Sequence, residues 1–167
     1  MKVPAARPRW LLACAAIVLA AGCASPPRAP AGADATTGPW TGRLALEVEG
    51  NERQSFSASF ELKGSATAGE LGLYNPLGGT VAVLAWAPGS AKLRTNGEAR
   101  DFESLDALVA HATGAAIPVA ALFDWLRAID TPVAGWQADL SVLGQGRLRA
   151  QRWEPPPPAD LRVILDR

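Results

Sequence analysis

The chain reads as mainly β with α: an antiparallel sheet long enough to twist and curve, with two helices closing one of its faces. Three observations predict this. Apolar and polar residues alternate over 44–48 and again over 56–62, the period of a half-buried strand. Between 104 and 129 the apolar spacing changes to that of a helix, and after 136 it returns to two. The order is therefore strands, then helices, then strands, and both helical stripes need a sheet beneath them.

Taking the elements in turn, Leu44, Leu46 and Val48 alternate with Arg43, Ala45 and Glu47, and Glu49-Gly50-Asn51-Glu52 turns the chain. Phe56, Ala58, Phe60 and Leu62 then alternate with Ser55, Ser57, Ser59 and Glu61, so the pair predicts a hairpin with one apolar face and one wet face. Further strands are expected at 69–75, 80–87, 91–95 and 98–102. Ser104 is a suitable N-cap for a helix carrying Leu105, Leu108, Val109 and Ala112, which Gly114 would stop. A second helix starts near Pro118, where a missing N–H costs nothing, and aligns Leu122, Trp125, Leu126 and Ile129. Strands resume at Trp136–Leu143, Arg147–Trp153 and Leu161–Leu165, with Gly144-Gln145-Gly146 as a turn and Pro155–Pro158 as an extended spacer.

The N-terminus has a different character. Lys2, Arg7 and Arg9 precede the twelve apolar residues Trp10–Ala21, and Ala20-Ala21-Gly22-Cys23 ends them with small residues before a cysteine. The stretch is shorter than the ~20 residues a membrane-crossing helix needs, and Pro26-Pro27 breaks any continuation, so a cleaved export signal is expected over 1–22. Leu11-Leu12-Ala13-Cys14 fits the same pattern in letters but leaves almost no apolar core after Arg9, so Cys23 is preferred. Residues 23–39, rich in Pro, Ala, Gly, Ser and Thr, read as a flexible tether, and 40–167 as the folded domain. Without the signal the formal charge is 13 − 16 = −3. No basic stripe interleaved with aromatics is present, so nucleic acid is not expected as a partner.

One turn departs from the usual chemistry. Asn75-Pro76-Leu77-Gly78-Gly79-Thr80 separates two apolar runs, Leu71–Tyr74 and Val81–Trp86. Asn first, Pro second and Gly fourth predict a type I turn with Leu77 at its tip. A leucine there either folds back onto the core or is offered to a partner that is itself apolar.

Catalytic chemistry finds no footing. His111, the only histidine, lies off the apolar stripe of its helix and reads as a surface residue. With one His, Cys14 removed with the signal and Cys23 expected to be lipidated, no catalytic triad, zinc set or disulfide assembles. Glu47 and Glu49 share a strand face but are better explained as exposed charge beside a hairpin. Asp101, Glu103, Asp106 and Asp124 are scattered over helix starts and loops. Gly78-Gly79-Thr80 lacks the lysine and spacing of a phosphate loop. Neither a metal nor a cofactor is expected, and the chain reads as a non-enzyme. Trp40, Trp86, Trp125, Trp136 and Trp153 either fill core or line a cavity left under the two helices.

Taken together, the Asn75–Thr80 turn, the block Ala112–Val119 continuing to Leu122 and Trp125-Leu126, the Thr41-Gly42-Arg43 start and the tail Leu161–Arg167 resemble the LolB family of outer-membrane lipoproteins. The resemblance covers nearly the whole chain after the tether. It implies an incomplete antiparallel β-barrel under a helical lid, with a cavity for acyl chains. Separately, Ala20-Ala21-Gly22-Cys23 resembles the bacterial lipobox, which implies lipidation of Cys23 and, with Ala24 after it, an outer-membrane address facing the periplasm; the family resemblance implies a monomeric receptor taking acylated lipoprotein cargo from the periplasmic carrier LolA. The turn residues Asn75, Pro76, Leu77 and Gly78 correspond to the family's membrane-insertion loop, which meets outer-membrane lipid. Phe60, Leu73, Leu84, Trp86, Leu122, Trp125 and Trp136 are the candidates for lining the cavity. Two departures from the family pattern are expected: little or no helix before the first strand, and a shortened hairpin after Pro158. A lipid-anchored module holding a small lipid, or a structural envelope lipoprotein, are the competing readings.

Overall fold

Alternation decides the sheet, because each strand can turn only one set of side chains toward the helices. The computed structural model describes residues 38–50 and 54–166. Within them β1 (Trp40–Val48), β2 (Gln54–Gly64), β3 (Gly69–Tyr74), β4 (Thr80–Ala87), β5 (Ser90–Thr95) and β6 (Glu98–Phe102) are followed by α1 (Leu105–Thr113) and α2 (Val119–Leu126). The chain then forms β7 (Trp136–Asp139), β8 (Arg147–Arg152) and β9 (Ala159–Leu165). The strands make one antiparallel sheet in the order β6-β5-β4-β3-β2-β1-β9-β8-β7. Its two edges, β6 and β7, do not pair with each other, so the barrel is incomplete and the helices cover its inner face.

The register aligns the inner residues across strands. Leu46 lies opposite Phe56 on β2 and Leu161 on β9, and Leu71 lies between Leu62 and Leu84. At Gly42 the first strand approaches β9 so closely that a Cβ would sit 2.0 Å from the Ile164 carbonyl oxygen, and φ is +157°, so only glycine keeps this register. Between Leu73 and Tyr74 the β3–β4 register slips: Leu73 faces Ala82 while Tyr74 faces Thr80. Val81 is the additional residue, a β-bulge that re-aims its neighbours.

Both helices begin and end largely for the reasons the sequence offers. The Ser104 hydroxyl accepts from the Ala107 N–H at 3.1 Å, and Gly114 takes the left-handed conformation, φ 68°, that stops α1. The second helix is shorter than its apolar spacing predicts. It ends at Leu126, Ala128 adopts φ 61°, and Ile129 is 50 % exposed instead of continuing the stripe. β7 is also shorter than the expected 136–143, because the Asp139 carboxylate accepts from the Ser141 N–H at 2.9 Å and turns the chain into a 3-10 turn at Leu143–Gln145. Where an extended spacer is predicted, Pro155–Pro157 form a series of bends with cis bonds before Pro155 and Pro157. After Pro158 a full strand follows: β9 pairs with β1 over seven positions and with β8 over six. The expected signal, Cys23 and the tether up to residue 37 lie outside the described residues.

Candidate functional site

One end of the inner face is solidly filled. Phe123 of α2, fully buried, meets Trp40 and Trp86 edge-on, with ring centroids 5.6 and 6.1 Å away. Trp125, also buried, donates its indole N–H to the Thr131 carbonyl at 3.0 Å. Phe60 and Leu62 complete this packing.

Toward the other end of the same strands the packing opens. A cavity of about 520 Å³ lies between the sheet and the helices, floored by Leu46, Val48, Leu71, Leu73, Leu84 and Leu93. Val109 and Ala112 of α1, Ile117 of the inter-helix link, and Val119 and Leu122 of α2 roof it. Phe56, 37 % exposed, and Ser55, Thr95 and His111 also line it. Three of the polar members are engaged with protein: the Thr95 hydroxyl donates to the Val81 carbonyl at 3.0 Å, the Thr113 hydroxyl to the Val109 carbonyl at 2.9 Å, and Arg100 donates to His111 Nε2 at 2.8 Å. Most of the remaining wall is aliphatic carbon, suited to an apolar guest.

The cavity leads directly to the leucine turn. Leu73 and Val81 both line it, and the chain between them makes the loop. Gly78 N–H donates to the Asn75 carbonyl at 2.9 Å, closing the predicted turn, and Asn75 Oδ1 accepts from both Leu77 N–H and Gly79 N–H at 2.9 Å. Gly78, at φ 82°, allows the chain to return. The Asn75 side chain thus locks a rigid arch whose tip, Leu77, is 96 % exposed, resolving the choice left open by the sequence. That orientation has a cost, because a leucine in water forgoes roughly 1.5–3 kcal/mol of burial.

Of the cavity candidates named from sequence, Leu73, Leu84 and Leu122 line this space. Phe60, Trp86 and Trp125 are in the filled core, and Trp136 lines a separate, smaller cavity. Sequence reasoning missed Leu46, Val48, Val109 and Ile117. The alternation placed the first two on the inner face, but nothing in it said that a space would be left above them. Among the described residues no group of three or more His, Cys, Asp or Glu could hold a metal ion, and no helix is long and apolar enough to cross a membrane.

The outer face is polar and ionic. Asp160 receives hydrogen bonds from Arg149 Nε at 3.1 Å and Arg162 Nη2 at 3.0 Å, and Glu47 lies 3.9 Å from Arg162. Partial burial pushes the Asp160 carboxyl up, but the two guanidinium groups outweigh it and hold it below the usual carboxylate range.

Residues 39–155 match the family model described as Outer membrane lipoprotein LolB, over more than two thirds of the chain. The chain belongs to the LolB family. A relative named Outer-membrane lipoprotein LolB in Bordetella petrii is 36 % identical over 89 % of this chain and 87 % of its own length. One of the same name in Bordetella parapertussis is 38 % identical over 71 % of this chain and 63 % of its own length, and one in Cupriavidus metallidurans is 29 % identical over 89 % and 71 %. The LolB match spans the strands that floor the cavity, the leucine loop and both helices. Neither the family nor these relatives carry an enzyme's name.

Proposed function

We propose that this LolB-family chain is a receptor that accepts acylated lipoproteins from the periplasmic carrier LolA, shelters their acyl chains in the 520 Å³ cavity and inserts them into the outer membrane. The carrying observation is the juxtaposition of an aliphatic cavity with a rigid, exposed leucine one loop away. Moving a palmitoyl chain through water would cost about 12 kcal/mol at about 0.8 per methylene, so cargo has to pass between apolar shelters. The cavity is such a shelter, and its size falls in the ~300–1,000 Å³ range of small-molecule sites.

In this account Leu73 and Val81 carry the loop from the cavity wall to the lipid surface, and Leu77 enters the acyl region first. Cys23 carries the lipid that anchors the chain to the outer membrane on its periplasmic side, and residues 24–39 give the domain reach. With no nucleotide chemistry in the site, direction comes from rising affinity along carrier, receptor and bilayer. The protein acts as a monomer.

The test is transfer of a radiolabelled lipoprotein from LolA to this protein and then to liposomes. The chain should take up the label and release it into lipid. Retention of all label on LolA would overturn the proposal.

A further inference from the structure

Arg152, on the inner face of β8, is 4 % exposed. Among the described residues no carboxylate lies within ion-pair distance of it. Its Nη1 donates to the Ala116 carbonyl at 3.1 Å and its Nη2 to the Pro157 carbonyl at 2.8 Å, while Nε is buried with no partner. A guanidinium has five N–H donors, so two bonds leave most of its capacity unused, and two neutral carbonyls leave its charge uncompensated. The Trp136 ring, with its centroid 5.6 Å from the Arg152 guanidinium carbon, offsets part of that charge only. Burying a cation without a counter-ion is among the most expensive arrangements a fold can hold.

This cation lines a second cavity, of about 270 Å³, walled by Ile117, Pro118, Val133, Trp136 and Pro155. Ile117 also lines the larger cavity, so the two spaces share one wall. We propose that the smaller cavity receives the anionic head, a carboxylate or a phosphate, of a single-chain amphiphile whose tail runs past Ile117 into the larger one, with Arg152 as the counter-ion. The position of the tail rests on the reading of the larger cavity as an acyl site; the charge preference does not. Asp106, exposed and also lining the smaller cavity, opposes an anion and tunes the site.

The experiment compares dodecanoate, dodecyl phosphate and dodecanol, by calorimetry, on the full chain kept unacylated by Cys23→Ala. Both anions, or one of them, should bind at least about tenfold tighter than the alcohol, the worth of one charge-assisted hydrogen bond. The stronger anion tells a fatty-acid head from a phosphate head. Arg152→Met should bring the anions down to the alcohol's affinity, and Asp106→Asn should tighten them. Should Arg152→Met not fold, the indole N–H resonance of Trp136 in the parent chain decides: it should shift with dodecanoate and not with dodecanol. Equal affinity for anion and alcohol, or a preference that survives Arg152→Met, would overturn the head site while leaving the acyl cavity standing. Absence of binding by all three ligands would sink both.

Discussion

α1 and α2 lie on one sheet and fill it unequally, although Val119 and Leu122 of α2 share the cavity roof with α1. In α2 six of eight residues are buried, and Phe123 and Trp125 plug the end of the sheet where Trp40, Leu62 and Trp86 point inward. In α1 only Leu108 and Val109 are buried, and Val109 and Ala112 share the cavity lining with Leu46, Val48, Leu84 and Leu93 of the sheet. The strand period is the same at both ends. Side-chain reach differs: aromatics meet across the filled end, whereas aliphatics at the other leave 520 Å³. In this fold one end holds the aromatic packing and the other the open space.

If that division holds, the largest stability effect belongs to the plug. Phe123→Ala should cost about 3–5 kcal/mol, measured by urea unfolding, because it removes a fully buried ring and the edge contacts to two tryptophans. A loss below ~1 kcal/mol would mean the filled end is not the stabilising one. Next comes Asp160→Asn on the outer face, expected to cost ~1–2 kcal/mol through weakened bonds from Arg149 and Arg162. The folded carboxyl is depressed below its unfolded value, so its contribution is full above about pH 4 and fades as pH falls through the folded pKa. Wild-type and Asp160→Asn stabilities should therefore converge in strong acid and separate above it. Persistence of the full gap at low pH would contradict the pairing.

The hollow end should respond differently. Leu73→Ala enlarges a space that is already open, so it should cost nearer ~1 kcal/mol than the ~2–5 typical of a packed leucine, while changing the binding of an apolar fluorescent probe. A cost equal to that of Phe123→Ala would show the cavity to be packed in solution. The smallest stability change, within about ±0.5 kcal/mol, is expected for Leu77→Glu, since the side chain touches little of its own protein. That variant should still accept cargo from the carrier yet fail to deliver it to liposomes. Normal delivery would remove the loop from the mechanism.

The comparison also marks where sequence reading stops. Alternation along β1 and β2, the Ser104 cap, the Gly114 stop and the Asn75 turn are local, and each was legible because its cause lies within a few residues. The cavity is not local. Phe60 and Leu46 sit on the same face of neighbouring strands with the same periodicity and both are buried, yet only Leu46 borders the cavity, because the outcome depends on what α1 or α2 brings above them. Ile129 misled for a related reason: its spacing fits the helical stripe, but the chain turns away at Ala128 before reaching it. Arg152 follows Leu148 and Ala150 in the inward alternation of β8, so its burial was written in the period although it was not among the residues singled out from sequence.

The central claim, that acyl chains occupy the hollow end and not the plugged one, is open to a single measurement. A lipoprotein carrying a photoreactive group near the end of its acyl chain is loaded onto the full chain, irradiated, and its adducts mapped by peptide mass spectrometry. Adducts should fall on Leu46, Leu73, Leu84, Val109 and Leu122. Adducts confined to Trp40, Trp86 and Phe123 at the plugged end, with none on those five, would contradict it.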